Sequence, residues 1–352
     1  MTRPRVARFA VVAVLAWLVA APAAAQDAVH VIPEFTFESG QKLSNMRVGY
    51  TAHGTLNDAR SNAIIVTHGT GAGRAAMNIY IGPGKAFDTT KYLVIAVDAI
   101  GGGLSSSPKD GLGPDFPRYT IRDMVRAQHD LATRGLGLPG LVAVGGPSMG
   151  SFQALEWGIH YPDFVKGLLL IVPAVKSDAN VRMIVDGMVA AVSMDPSWNG
   201  GRYTQNPTTG LRAAGTIFTP WLTGQEQLSA IKTQDEYERR VAVFANGFAS
   251  WDAVSWMWRY LATREHDIGK PFGGNVETAL GRIRARALVM PSASDRLLVP
   301  AYAREIHRSI KDAVYAEIPT INGHVGYGPP SEATSEYVFV TSQIAAFLGT
   351  LK

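Results

Sequence analysis

Ser148 stands in the segment Gly-Pro-Ser-Met-Gly at 146–150, which fits the pattern G-x-S-x-G. An apolar run at 141–144 precedes this segment and a helical pattern at 152–157 follows it, so the serine lies between a strand and a helix. In that setting the pattern is typical of a nucleophile elbow, a strained turn that lifts the hydroxyl into a pocket and needs glycine neighbours without Cβ atoms. The segment therefore predicts that Ser148 attacks a carbonyl carbon.

A serine hydroxyl is a weak nucleophile that needs a base, and the base needs a carboxylate to orient it. After such an elbow the order along the chain is Ser, then Asp or Glu, then His, with both partners on loops after late strands. Asp295 and His324 meet this condition, because they follow the apolar runs that end at 290 and 318. Asp98 and Asp267 are alternative carboxylates, but Asp98 precedes the serine, and we prefer Asp295.

The loop at 68–71 predicts the oxyanion hole. It has the sequence His-Gly-Thr-Gly and follows the apolar run 63–66, where the backbone supplies half of such a hole. We assign the hole to the backbone N–H groups of Thr70 and Met149, and His68 to a structural hydrogen bond rather than to the base. A dinucleotide site would need G-x-G-x-x-G here, but Arg74 occupies the sixth position. We expect no cofactor and no metal.

Strands that alternate with helices must position these residues. Two alternating runs, near 35–37 and 46–50, predict an antiparallel pair at one edge of a sheet. Helical patterns such as 121–134 and 152–160 separate several short apolar runs typical of buried strands: 63–66, 92–97, 141–144, 167–172, 285–290 and 313–318. This alternation predicts an α/β fold with a mostly parallel sheet.

The alternation breaks between 172 and 285, where helical patterns at 179–193, 233–247 and 254–264 are joined by polar loops. We interpret 176–280 as a helical cap, or lid, inserted into a core that is formed by 26–175 and 281–352. We expect most of the cap's tryptophans to build its own core and one or two to line an apolar pocket over Ser148. Five of the seven tryptophans of the chain lie here: Trp198, Trp221, Trp251, Trp256 and Trp258.

The first 25 residues have the pattern of a cleavable signal peptide. Three arginines precede an apolar stretch at 9–20, which is shorter than the roughly 20 residues that span a bilayer. The alanines at 23–25 fit a cleavage site. We therefore expect a periplasmic or secreted protein, cut after Ala25, with no stable membrane anchor.

Charge and cysteine content narrow the range of partners. Cleavage removes three of the 33 Lys+Arg residues and leaves 30 against 29 Asp+Glu, so the mature chain is nearly neutral. No tract rich in Lys or Arg remains, and we expect no nucleic-acid partner. The chain has no cysteine, which excludes disulfides, thiolate metal sites and Cys nucleophiles.

Six segments carry a family resemblance: 54–57, 81–89, 116–125, 148–157, 195–201 and 266–269. In these segments the chain resembles the homoserine O-acetyltransferase family of the α/β-hydrolase superfamily. The resemblance covers most of the mature chain. It implies the α/β-hydrolase fold with an inserted helical cap and the triad Ser148, Asp295 and His324, and it allows a homodimer that pairs through the cap.

Three positions depart from the pattern with which the family grips homoserine. Where the resemblance implies Arg, Tyr and Asp, this chain has Gly215, Leu222 and Val325. Without those groups a site cannot pair the charges of a buried zwitterion, and unpaired buried charges cost several kcal/mol. We therefore expect a more apolar substrate, held by Trp221, Leu222 and Val325.

These observations predict an exported serine hydrolase, esterase-like, that cleaves a small-molecule acyl ester through an acyl-enzyme. The expected compartment favours hydrolysis, because acetyl-CoA is a cytosolic metabolite and water is the most abundant acceptor outside the cytoplasm. Two alternatives stay open: an O-acyltransferase that uses a hydroxyl acceptor, and a binding protein that has lost catalysis. The complete set of Ser148, Asp295 and His324 disfavours the binding protein.

Overall fold

A computed structural model of the protein describes residues 25–351. The predicted signal peptide lies outside these residues, except for Ala25. Within 25–351, no helix is both long enough and apolar enough to cross a membrane.

Ten strands form two sheets in the described residues: β1 Gln26–Thr36, β2 Lys42–His53, β3 Ala63–Val66, β4 Ile81–Gly82, β5 Phe87–Asp88, β6 Leu93–Val97, β7 Leu141–Pro147, β8 Val165–Ile171, β9 Arg286–Met290 and β10 Val314–Tyr315. The main sheet has eight of them in the order β1-β2-β6-β3-β7-β8-β9-β10, and β4 and β5 pair separately. The contacts of β2 with β1 and with β6 are antiparallel, and all other neighbours in the main sheet are parallel. The predicted fold class is confirmed.

Both faces of the parallel strands are covered, which explains why these strands are continuously apolar. In β3, the side chain of Ile65 packs on the face covered by the first two helices, whereas Ile64 and Val66 pack on the opposite face against the last helix. This alternation follows from the two-residue period of a strand. The helices of the core are α1 Ile121–Asp130, α2 Met149–His160, α9 Pro300–Ser309 and α10 Ser335–Gly349.

The last strand, β10, is shorter than the predicted run 313–318. Beyond it, the pairing with the β9 side continues as an isolated bridge between Ser292 and Ile318, in which the N–H of Ile318 donates to the carbonyl of Pro291 at 2.8 Å. Proline has no N–H to return to the neighbouring strand, so a regular ladder cannot form at this position. The chain is thereby free to turn toward His324.

The segment that we interpret as the cap contains six α-helices: α3 Ala179–Ser193, α4 Thr208–Leu222, α5 Gln225–Ala230, α6 Gln234–Ala249, α7 Ala253–Arg264 and α8 Val276–Leu280. The helices α3, α6 and α7 match the predicted ones to within two residues, but α4, α5 and α8 were not predicted. In α4, glycine and proline residues at 210, 215 and 220 suggest a loop. The structure shows that two of them permit close packing. A Cβ atom at Gly215 would lie 2.5 Å from the carbonyl oxygen of Phe244, and one at Gly210 would lie 2.8 Å from that of Ala191.

Candidate active site

Ser148 lies on a strained turn between β7 and α2. Its backbone has φ +55° and ψ −120°, which few residues with a side chain adopt. A Cβ atom on Gly146 would lie 2.1 Å from the carbonyl oxygen of Thr67, and one on Gly150 would lie 2.8 Å from the Thr67 hydroxyl. The two glycines therefore allow β7 and α2 to approach β3, and this packing holds the turn in place.

Asp295 and His324 form a buried hydrogen-bonded pair. Nδ1 of His324 lies 2.7 Å from Oδ2 of Asp295, and the two side chains are 4% and 0% exposed. The other carboxylate oxygen, Oδ1, accepts hydrogen bonds from the N–H groups of Leu297 and Leu298 at 2.8 and 3.0 Å. Because a carboxylate only accepts, Nδ1 carries the proton and Nε2 presents a lone pair. This is the protonation that a general base requires.

Ser148 and His324 line the same cavity, of about 170 Å³. Ser148 follows β7, Asp295 follows β9 and His324 follows β10, so the three residues meet at the carboxyl edge of the parallel sheet. Among the described residues, no hydrogen bond joins the Ser148 hydroxyl to the imidazole. In sites without a ligand, the bond between nucleophile and base is often long and tightens when the substrate binds.

Neither alternative carboxylate contacts His324. Asp98 pairs with the guanidinium of Arg74 at 2.6 Å and accepts the N–H of Leu104 at 2.9 Å. Asp267 accepts the N–H of Gly269 at 2.8 Å in a tight turn. Both carboxylates hold loops in place, whereas Asp295 is hydrogen-bonded to the imidazole of His324.

The loop after β3 lies beside Ser148, as an oxyanion hole requires. A Cβ atom on Gly69 would lie 3.6 Å from Cβ of Ser148. The N–H groups of Thr70 and Met149 have no hydrogen-bond acceptor within the described part of the chain. Met149 begins α2, where the first N–H groups are unpaired and the helix dipole favours negative charge. Two unpaired N–H donors are therefore available near Ser148.

The cavity wall is apolar and contains no Lys, Arg, Asp or Glu side chain among the described residues. Its ionisable groups are the imidazole of His324 and two tyrosines. Burial, together with the charge of Asp295, raises the pKa of Tyr327 to about 12, and burial raises the pKa of Tyr260 further still. Both phenols are therefore neutral at ordinary pH. The apolar and aromatic lining comes from core and cap: Phe152, Val181, Ile184, Val185, Phe218, Leu222, Phe244, Phe248, Tyr260, Leu297, Leu298, Val325 and Tyr327.

Leu222 and Val325 line the cavity as predicted for the pocket, but Trp221 does not. Consecutive residues of a helix point about 100° apart, so when Leu222 of α4 faces the cavity its neighbour faces elsewhere. The indole of Trp221 lies instead 5.9 Å from the guanidinium of Arg296.

Among the described residues that line the cavity, none is a tryptophan. Phenylalanines take the place that we expected one or two cap tryptophans to fill. A sequence signal for them exists, because Phe218 and Leu222, and likewise Phe244 and Phe248, are spaced by four residues and share a helix face. In contrast, Trp256 and Trp258 are buried in the hydrophobic core that the cap shares with the sheet.

Gly215, the position at which the resemblance implies an arginine, packs against the backbone of α6 and does not line the cavity. A side chain of any length at this position would collide with Phe244 and Ala245. The cavity therefore has no cation at this point.

The order of the sheet, the elbow after β7 and the helices inserted between β8 and β9 define the α/β-hydrolase class. Residues 62–320 match the model of the alpha/beta hydrolase fold family. The chain belongs to this family, and within it to the group that resembles the homoserine O-acetyltransferases. It is an enzyme, and both ester hydrolases and acyltransferases are among its relatives.

Three similar proteins illustrate this range. An ethyl acetate hydrolase of Pseudomonas veronii is 31% identical over 306 residues, which cover 82% of this chain and 86% of the relative. A homoserine O-acetyltransferase of Methanohalobium evestigatum is 34% identical over 334 residues, covering 83% and 68%. The solved structure of the acetyl esterase MekB superposes with a TM-score of 0.86 at 27% identity and covers 92% of this chain and 97% of that structure.

Proposed function

We propose that the protein hydrolyses an uncharged, largely apolar carboxylic ester through an acyl-enzyme on Ser148. One observation carries the proposal: the strained Ser148 and His324, which is hydrogen-bonded to the buried Asp295, line a cavity that has no Asp, Glu, Lys or Arg side chain among the described residues. The likeness to an ethyl acetate hydrolase and to an acetyl esterase supports the same reaction.

In the proposed reaction, Nε2 of His324 accepts the proton of Ser148 as Oγ bonds to the carbonyl carbon. The carboxylate of Asp295 stabilises the imidazolium that forms. The N–H groups of Thr70 and Met149 donate to the oxyanion of the tetrahedral intermediate. When the intermediate collapses, the ester C–O bond breaks and the alcohol leaves with the proton from His324. Water, deprotonated by His324, then adds to the acyl carbon, and collapse releases the acid and restores the Ser148 hydroxyl.

The test uses the purified protein with p-nitrophenyl acetate and butyrate and with a fluorophosphonate that labels active serines. We expect hydrolysis and labelling of the wild type, and a fall in kcat of at least about 1,000-fold for Ser148→Ala. Ser309→Ala, at an exposed helical serine, is the matched control and should change neither result. Folded wild-type protein that hydrolyses no ester and takes no label would contradict the proposal.

A second candidate function is acyl transfer to a hydroxyl acceptor, which the homoserine O-acetyltransferase relatives favour. The apolar Leu222 and Val325 and the closed position of Gly215 provide no partner for the carboxylate and ammonium of homoserine. Incubation with acetyl-CoA, with and without homoserine, distinguishes the two reactions. CoA release that depends on homoserine and exceeds ester hydrolysis would replace hydrolysis as the function.

We also propose that the enzyme is exported and that its signal peptide is removed after Ala25. The basic, apolar and small-residue regions of 1–25 support this proposal. Expression of the full chain in a bacterial host, followed by fractionation and N-terminal sequencing, tests it. A mature protein that begins at Gln26 in the periplasm or medium is expected, whereas an intact N-terminus in the cytoplasm would contradict it.

Assembly stays a prediction. We propose that no nucleic acid binds, and that any homodimer pairs through the cap. Light scattering of the purified protein measures whether a dimer forms.

A further inference from the structure

Arg259, on the cap helix α7, is a cation buried without a carboxylate partner. It is 1% exposed, and among the described residues no Asp or Glu lies within ion-pair distance of it. Its guanidinium donates instead to backbone carbonyls, at 2.9 Å to Ala72, 3.3 Å to Ala99 and 3.3 Å to Ile100, with Thr70 at 3.5 Å. Charged side chains are almost never fully buried unless they are paired, so these contacts require an explanation.

The core loop after β6 has a recess for this side chain. A Cβ atom on Gly102 would lie 2.5 Å from Nη2 of Arg259. A Cβ atom on Gly101 would lie 2.1 Å from the hydroxyl of Tyr119, which faces the same guanidinium. An apolar residue of similar volume would usually stabilise a buried position as well or better. We therefore look for the function of Arg259 in the backbone groups to which its five N–H groups donate.

The guanidinium bridges the loop after β3, which carries the proposed oxyanion donor of Thr70, and the loop after β6. It holds the loop after β3 directly, through Ala72 and Thr70. It holds the loop after β6 through the carbonyl of Ala99, and the N–H of that residue donates to Nε2 of His68 at 3.0 Å. Because Nε2 accepts, the proton of the neutral imidazole is on Nδ1, which donates to the carbonyl of Gly69 at 2.8 Å.

This last hydrogen bond fixes the direction of the Thr70 N–H. The carbonyl of Gly69 and the N–H of Thr70 belong to one planar trans peptide, in which the two groups point in opposite directions. With the Gly69 carbonyl held by His68, the N–H of Thr70 must point away from the imidazole. Contacts from Arg259 to the carbonyls of Thr70 and Ala72 restrain the peptides that follow.

We propose that Arg259 is a positioning residue for the oxyanion hole, so that a side chain of the cap completes a catalytic feature of the core. Its guanidinium holds the loop at 69–72 directly through backbone carbonyls. It also holds Ala99, whose N–H donates to His68 and so fixes the orientation of that imidazole. This inference rests on the proposed function, because it assigns the Thr70 N–H to the oxyanion.

The test compares Arg259→Met and Arg259→Lys with a matched control, Arg118→Met. The guanidinium of Arg118 lies 3.3 Å from the centre of the Trp258 ring on the same helix, but it makes no hydrogen bond to the oxyanion loop in the described residues. For each variant, kcat and KM are measured with p-nitrophenyl butyrate. The inhibition constant of an alkyl trifluoromethyl ketone, whose adduct with the serine carries an oxyanion, and Tm are measured as well.

A positioning role predicts a selective loss in the transition state. For Arg259→Met we expect kcat to fall by about 10- to 100-fold with KM within about twofold, and the ketone to bind weaker by the factor lost in kcat/KM. Arg259→Lys, which keeps the charge but cannot bridge both loops, should be intermediate. Arg118→Met should retain kcat and the affinity for the ketone.

Three outcomes would overturn the inference. One is a folded Arg259→Met with wild-type kcat and ketone affinity. Another is a loss of kcat without any loss of ketone affinity, which indicates a merely structural role. If Arg259→Met does not fold, Arg259→Lys decides, and wild-type behaviour of that variant refutes the role of the fork. Inactive wild-type protein in the same assay would instead refute the proposed function.

Discussion

The carboxylate of Asp295 accepts three hydrogen bonds. One of its oxygens has a structural role and the other has the proposed catalytic role. Oδ1 holds the loop at 297–298, whereas Oδ2 accepts from the imidazole of His324. The carbonyl oxygen of an asparagine can still accept from Leu297 and Leu298. Its amide group would donate toward Nδ1, however, and thereby force the proton of the imidazole onto Nε2.

Asp295→Asn should therefore lose activity while the fold is retained. We expect kcat for p-nitrophenyl butyrate to fall by about 10⁴-fold, because the wrong tautomer cannot accept the serine proton. Asp267→Asn is the matched control, since this carboxylate only closes a turn. Kinetics and thermal unfolding check both variants, and a loss of activity in Asp267→Asn that equals the loss in Asp295→Asn would count against the assignment.

His68 gives a second prediction for a single residue, on the pH dependence of stability. Burial and the charge of Arg259 lower the pKa of this imidazole to about 4. In the unfolded chain the pKa returns to about 6.5, so between pH 6.5 and 4 the unfolded state binds a proton that the native state does not. The contribution of His68 to the free energy of unfolding therefore falls as the pH is lowered through this window and levels off below pH 4.

His68→Asn removes this contribution, because an amide can still donate to the carbonyl of Gly69 but does not titrate. Urea unfolding at several pH values between 7.5 and 4 is the measurement. The variant should be less stable at pH 7, since Ala99 loses its acceptor, yet its free energy of unfolding should fall less on acidification, by up to about 3 kcal/mol. Parallel curves for wild type and variant would show that His68 titrates normally.

Among the structural elements, the junction of β7, α2 and β3 is where packing determines whether the elbow can form. A Cβ atom at Gly146 would meet the carbonyl oxygen and carbon of Thr67 at 2.1 and 2.7 Å, and backbone atoms in a central strand cannot move aside alone. Gly146→Ala should therefore destabilise the protein by about 3 kcal/mol or more and displace Ser148.

The matched control is Gly187→Ala, at an exposed position of α3 where a Cβ atom would meet no heavy atom within 4 Å. This substitution should stabilise the protein by about 0.5–1 kcal/mol, because alanine restricts the unfolded chain and favours a helix. Chemical denaturation of both variants measures the two effects. If Gly146→Ala were as stable as the wild type, the steric explanation of the elbow would be wrong.

The elements also show what the sequence could predict and what it could not. The sequence was sufficient to predict the residue types at 148, 295 and 324, their order and the strands that precede them, because a triad on the α/β-hydrolase fold has this order. Helix α4 was not, because the glycines at 210 and 215 suggest a loop when seen locally and become contacts only when α3 and α6 are in place. The rotation of that helix also determines that Leu222, and not Trp221, faces the cavity.

At the scale of the whole molecule, the cavity belongs to neither the core nor the cap alone. Ser148, His324 and Phe152 come from the core, whereas the cap helices supply most of the apolar wall. The cavity measures about 170 Å³, so in the proposed reaction the side chains of the cap determine how long an acyl or alkoxy chain fits beside Ser148. The proposed selection by size and by lack of charge therefore depends on core and cap together.

Val185→Phe should shorten the preferred acyl chain. Val185 is buried on α3 and faces the cavity, so a larger ring fills space that the substrate would occupy. We expect kcat/KM for p-nitrophenyl butyrate and hexanoate to fall by about 10-fold or more relative to p-nitrophenyl acetate, because each methylene group that no longer fits loses about 1 kcal/mol or more of binding.

The control for this prediction lies two residues earlier on the same helix. Met183 is 66% exposed and does not line the cavity, so Met183→Phe enlarges a side chain of α3 without entering the site. Its chain-length profile should match that of the wild type. A uniform fall in kcat/KM for all three esters in Val185→Phe would indicate displacement of the whole helix, whereas a selective loss for the longer esters assigns the limit on substrate size to the cap.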